Sequence, residues 1–173
     1  MARSLLPIST LDGCQITRWH GTEMAHTEHP LRWQHPDVPY LQCISIELAL
    51  ESAAPLQLIA HLPDHSGFHG LYLRPAPAAM AAAPNCSPGS IFRSRTLAEL
   101  PLGAARLVQL RRDGPDAVIE ISLQIGRDRV SLLAGEVAKG IGNTVRIVEP
   151  DESILVQVNG KRPPTPCRAR VEG

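Results

Sequence analysis

Val118-Ile119-Glu120-Ile121-Ser122-Leu123-Gln124-Ile125 decides the fold class of this chain. Aliphatic side chains stand at 119, 121, 123 and 125, and polar ones at 120, 122 and 124. Successive side chains of a strand point to opposite faces, so a period of two reads as a half-buried strand. Gly126-Arg127-Asp128 supplies a turn, and residues 129–133 read as the returning strand. Residues 133–139 suit a short helix ended by Gly140. Residues 144–148 and 154–158 are two further strands, joined by Glu149-Pro150-Asp151-Glu152. Asn159-Gly160 is the strongest hairpin signal, because both residues tolerate the positive φ of a type I′ turn. A last short strand over 168–171 follows Pro163, Pro164 and Pro166. Proline lacks the ladder donor, so that stretch belongs at an edge or a bulge.

Working upstream, Asp113-Gly114-Pro115-Asp116 marks a turn, residues 106–111 a strand, and residues 97–100 a short helix. Residues 41–50 alternate apolar and polar over most of their length, and residues 56–62 and 70–73 are two more strand candidates. The first forty residues are rich in His and Pro and poorly periodic, and read as loop, edge strand and short turns. Residues 74–89 are Ala- and Pro-rich and nearly uncharged. Their prolines argue against a continuous helix, which leaves a linker or long surface loop. The expected organisation is residues 1–74, a β-containing region of unknown role; 75–90, a linker or loop; and 91–173, a β module. The expected fold class is mostly β, a β-rich α+β arrangement of small strands with one or two short helices.

Composition excludes several functions. Hydrophobic content of 43 % supplies enough aliphatic surface for a core, so wholesale disorder is not expected. Aromatics at 3 % leave few stacking platforms for single-stranded nucleic acid. With 17 basic and 17 acidic residues the net charge is zero, which argues against a polyanion binder. No run reaches the ~20 apolar residues of a membrane-spanning helix. Cys14, Cys43, Cys86 and Cys167 are dispersed without a CxxC pair, as reduced thiols of a cytosolic protein would be. No phosphate-binding glycine loop, dinucleotide fingerprint or nucleophile elbow occurs.

The strand–turn–strand–short helix–strand–strand order after residue 117 resembles the SpoA (surface presentation of antigens) domain. That domain occurs in the flagellar switch proteins FliN and FliM and in the SctQ/HrcQ proteins of type III secretion. Ile121-Ser122-Leu123-Gln124-Ile125-Gly126-Arg127 is similar to the family's strand and turn, and Val130-Ser131-Leu132 to the strand that follows. Gly142-Asn143-Thr144-Val145-Arg146-Ile147 resembles its G-D-x-I-x-L segment, and Ile154-Leu155-Val156-Gln157-Val158-Asn159-Gly160-Lys161 its V-x-V-N-G-K hairpin. The proline-rich stretch after Lys161 departs from the pattern where the family has a last strand. A shifted alignment, with Arg95-Thr96-Leu97-Ala98-Glu99-Leu100 at the helix entry and residues 118–148 as the second half, stays open.

The resemblance implies a non-enzymatic assembly component of a type III secretion or flagellar cytoplasmic ring. It would be cytoplasmic or peripheral at the membrane-associated apparatus, with protein partners and a homo- or heterodimer through the C-terminal module. The aliphatics expected at that interface are Ile119, Ile121, Leu123, Ile125, Val145, Ile147, Leu155 and Val156. No cofactor, nucleic acid or membrane span is expected.

The alternative is a metal-binding protein or metal-dependent enzyme using the N-terminal histidines. His61, His65 and His69 are spaced by four beside Asp64, and on a helix they would line one face for a transition metal. Pro63, Gly67 and Gly70 argue against that helix, so surface-loop histidines are the stronger reading. His20, His26, His29 and His35 flank Glu23 and Glu28 without an HExxH motif. Arg93, Arg95, Arg106, Arg111 and Arg112 form a basic cluster beside Glu99 and Asp113, read as a solvated face with an acidic partner as the alternative.

Overall fold

The alternating segment at 117–125 is the second strand of a four-stranded wall, and the rest of the fold is built against it. The computed structural model describes residues 5–34, 37–62, 69–77, 89–115, 117–139 and 144–163. Among the described residues a 3₁₀ turn (Ile8–Leu11) precedes eleven strands: β1 (Gln15–Met24), β2 (Leu41–Leu50), β3 (Leu56–His61), β4 (His69–Pro75), β5 (Phe92–Thr96), β6 (Gly103–Asp113), β7 (Ala117–Ile125), β8 (Asp128–Ala134), β9 (Glu136–Lys139), β10 (Val145–Val148) and β11 (Ile154–Val158). The fold is mostly β, as expected. No helix among the described residues is long and apolar enough to cross a membrane.

Nine strands form one sheet, in the order β4-β3-β2-β11-β8-β7-β6-β1-β5, and β1 also pairs with β2. That extra pairing closes β1, β2, β11, β8, β7 and β6 into a barrel, with β3–β4 and β5 as additional strands. The joints are made by splitting edges. Leu41, Gln42 and Cys43 of β2 pair with β11, whereas residues 45–48 on the same edge pair with β3. Gln15 and Ile16 of β1 pair with β6, whereas residues 20–24 pair with β5. Strands from both sides of residues 75–90 therefore share one sheet and one core, and that stretch does not divide two packing units. Residues 78–88 of it lie outside the described residues, as do 168–171.

The barrel interior is aliphatic, with Trp19 as its large aromatic member. Ile121, Leu123 and Ile125 of β7 meet Val130, Leu132 and Ala134 of β8 and Ile154 and Val156 of β11, all nearly inaccessible. Trp19 is fully buried and its indole N–H donates to the Pro101 carbonyl at 2.8 Å, so its polar atom is satisfied.

Several expectations are corrected. Residues 133–134 and 136–139 are strand, not helix: Ala134 pairs with Ile154 and Leu133 with Leu155, and β9 then pairs with β10. Long-range pairing overrides the helical propensity of this segment. Residues 97–100 form a single turn, with Leu100 N–H donating to the Leu97 carbonyl at 3.2 Å and Pro101 ending it. Both leucines are buried, which explains their helix-like spacing. The N-terminal forty residues contain β1, an interior strand rather than an edge. A register shift between Ile16 and Arg18 puts its alternation out of phase, so a period-two reading misses it.

Two turns form as the sequence suggests. Gly126 (φ 59°) and Arg127 join β7 to β8, with Ile125 opposite Asp128. Asn159 (φ 53°) and Gly160 (φ 73°) turn the chain so that Val158 and Lys161 exchange backbone hydrogen bonds. Gly135 has a different duty. Between β8 and β9, the position of an added Cβ lies 2.9 Å from the Val148 carbonyl oxygen. Gly135→Ala is therefore expected to lower stability by about 1–3 kcal/mol, the usual cost of overpacking. Denaturant unfolding measures it, and an unchanged midpoint would show that the bend accepts a side chain.

Candidate functional site

Three places gather polar or unpartnered side chains: the β9–β10 arm, an ion cluster between β1 and β5, and the end of the β3–β4 hairpin.

The arm is a separate two-stranded sheet, with Glu136↔Val148, Val137↔Ile147, Ala138↔Arg146 and Lys139↔Val145 in register. The pleat puts Val137, Val145 and Ile147 on one face and Glu136, Ala138, Arg146 and Val148 on the other. Val137, Val145 and Ile147 are half-buried. Burial, then the negative charges of Asp151 and Glu152, pushes the Glu136 carboxyl above its ordinary range. The root of the arm is tied to the barrel through Glu149, which accepts from Arg111 Nη2 at 2.5 Å, while Arg111 Nε donates to Glu120 at 2.8 Å.

This location sorts the aliphatics nominated from the sequence. Ile121, Leu123, Ile125 and Val156 are spent in the barrel core, and Ile119 and Leu155 are buried as well. Val145 and Ile147 alone of the eight stand on an element outside the main sheet.

The ion cluster lies on the face of β1 that carries Gly21. Glu23 is 1 % exposed and accepts from Arg93 Nε at 2.5 Å, Arg95 Nε at 2.8 Å and Arg95 Nη2 at 3.0 Å. Arg95 also holds Glu99 through both terminal nitrogens, and the Arg93 guanidinium sits 4.4 Å from the Trp33 ring centre. Burial alone would push the Glu23 carboxyl up, but the hydrogen bonds and charges of Arg95 and Arg93 outweigh it and hold the carboxyl below its usual range. The basic cluster seen in the sequence is thus divided. Arg93 and Arg95 are half-buried and ion-paired, Arg111 is paired at the root of the arm, and Arg106 and Arg112 are exposed. Sequence reasoning set Glu23 among the N-terminal histidines and missed its ion pairs, because its partners lie some seventy positions away.

At the β3–β4 hairpin, His61 and His69 face each other across the ladder, with ring centres 5.3 Å apart. His65 lies outside the described residues. The helical face considered for the three histidines is replaced by a cross-strand pair. The remaining clefts hold no assembled catalytic constellation among the described residues. Cys43 is buried in the core, where burial pushes its thiol up, away from the reactive thiolate.

No family model matches this chain, and neither a curated protein nor a solved structure matches it. The Glu23 cluster makes a stability prediction with a definite sign. A carboxyl held low in the folded state contributes stability above its unfolded value of about 4.3 and loses it as pH falls through the folded value. Glu23→Gln is expected to cost roughly 1–3 kcal/mol at neutral pH, because Arg93 loses its carboxylate while Arg95 keeps Glu99 and both guanidiniums are partly solvated. It is also expected to flatten the acid limb of the stability–pH curve. Chemical denaturation from pH 7 to pH 3 reads both, and a variant with the parent's acid limb would remove Glu23 as its source.

Proposed function

We propose that this chain is a non-enzymatic assembly module that works by pairing with a second copy through the β9–β10 arm. The SpoA-like sequence pattern supports the setting: a cytoplasmic ring or sorting platform of a type III secretion or flagellar export machine. The observation that carries the reading is the arm itself. A two-stranded hairpin is marginal in water without further packing. This one keeps both outer strand edges unpaired among the described residues, and one face presents Val137, Val145 and Ile147. Its other face carries Glu136 and Arg146, one charge of each sign. Two arms related by a two-fold axis present the same patch to each other.

A zero net charge puts no long-range repulsion between copies. The enclosed aliphatics of β7 and β11 stay inside each copy, so association needs no opening of the barrel. Light scattering behind size exclusion on the full chain is expected to return twice the protomer mass. Val145→Asp and Ile147→Asp are each expected to return one protomer mass while keeping the parent's far-ultraviolet circular dichroism. A parent chain that stays monomeric at about 100 μM, far above the Kd of a typical stable interface, sinks this reading.

A further inference from the structure

The histidine pair at the end of β3–β4 is outside anything the assembly reading uses, and its geometry is built rather than incidental. Ile59 stands opposite Tyr72, and a regular ladder would continue to set His61 opposite Gly70. One extra residue in β4 sets it opposite His69 instead. Bulges re-aim side chains in this way. Gly70 permits it, because a Cβ there would come 3.1 Å from the Val118 carbonyl oxygen as β7 passes behind.

The Nδ1 atoms of both rings are buried and have no hydrogen-bond partner. A buried polar atom left unpaired costs free energy, and here two such atoms belong to neighbouring rings tilted by 32°. Neutral imidazole nitrogen is a common ligand of transition metals. A tetrahedral ion about 2.1 Å from one nitrogen of each ring would hold the ring centres roughly 5 Å apart. The observed centroid separation of 5.3 Å matches that spacing.

We propose that His61 and His69 form a two-histidine site for a first-row transition-metal dication of the Cu²⁺, Ni²⁺ or Zn²⁺ class. His61, though not His69, also lines a cavity of about 310 Å³ with Met24, Arg74 and Glu152. Arg74, the unfavourable charge there, donates from Nε and Nη2 to Gln57 Oε1 at 2.9 and 2.7 Å, and Glu152 supplies the opposite sign. No group of three or more His, Cys, Asp or Glu stands together among the described residues, so these supply two protein ligands, the two histidines. The affinity order follows the general preference of nitrogen sites, with Cu²⁺ tightest.

Calorimetric titration of the full, metal-stripped chain with each of the three ions tests the site. One ion per chain is expected, with affinity falling by roughly tenfold or more in His61→Ala and in His69→Ala, and unchanged in His20→Ala. A ligand bound only by the folded state raises the melting temperature, so the parent should gain thermal stability with Cu²⁺ and the His61→Ala/His69→Ala double variant should not. Should an alanine variant unfold, His61→Gln and His69→Gln replace it in the same measurements. Absence of saturable binding, binding that survives both substitutions, or an equal loss in His20→Ala overturns the proposal.

Discussion

β1 and β2 are paired along most of their lengths, yet neither gives its other edge to a single neighbour. Each strand serves the barrel at its N-terminal end and an additional strand at its C-terminal end. This double fork is the constraint from which the rest follows. A strand has only two edges, so a second partner on one edge must diverge from the first. The wall of β6, β7, β8 and β11 and the sheet of β3–β4 then separate, and both faces of the gap need filling. Leu58, Leu71 and Leu73 fill it from one side and Val118 from the other.

The fork on β1 also explains why charge is tolerated beside the core. Where β1 leaves β6 for β5, its core-facing positions pass from Ile16 and Trp19 to Glu23, and β5 answers with Arg93 and Arg95. The guanidiniums remain about a quarter exposed while the carboxylate is enclosed. A buried ion pair is often no more stable than an apolar one, because desolvation offsets attraction. Here the cations stay partly solvated while the carboxylates of Glu23 and Glu99 are withdrawn from water, which keeps the desolvation cost on the acidic side. Glu23 thereby selects which strand lies beside the C-terminal half of β1.

The sequence was most legible where apolar residues recur along a strand. β2, β7, β8 and β11 carry such runs, buried in part on both faces, and their bounds agree with the sequence reading to within a residue or two. β1 and β5 do not. A register shift breaks β1, and β5 has charged residues where apolar ones would be sought, because its buried partner is a carboxylate. The helix expected over 133–139 had the local propensity, but the deciding partners, β11 and β10, follow it in the chain. The interface residues were sought by hydrophobicity, which selects the core first. Only topology distinguishes Val145 and Ile147 from Ile121 and Leu123. The histidine pair needed a hairpin and a bulge, neither of which a spacing of four residues announces.

The pairing of Cys43 with Ile154 has a consequence for how the chain reaches this state. That contact joins residues more than a hundred positions apart, so a large loop must close before it forms, and topology of this kind slows folding. During synthesis, β1 and β2 emerge long before β11, and the N-terminal end of the β2 edge waits without its barrel partner. Unpaired edges template association with other chains. The interval before residues 154–158 arrive is thus when this protein is most open to aggregation and most in need of a chaperone's cover.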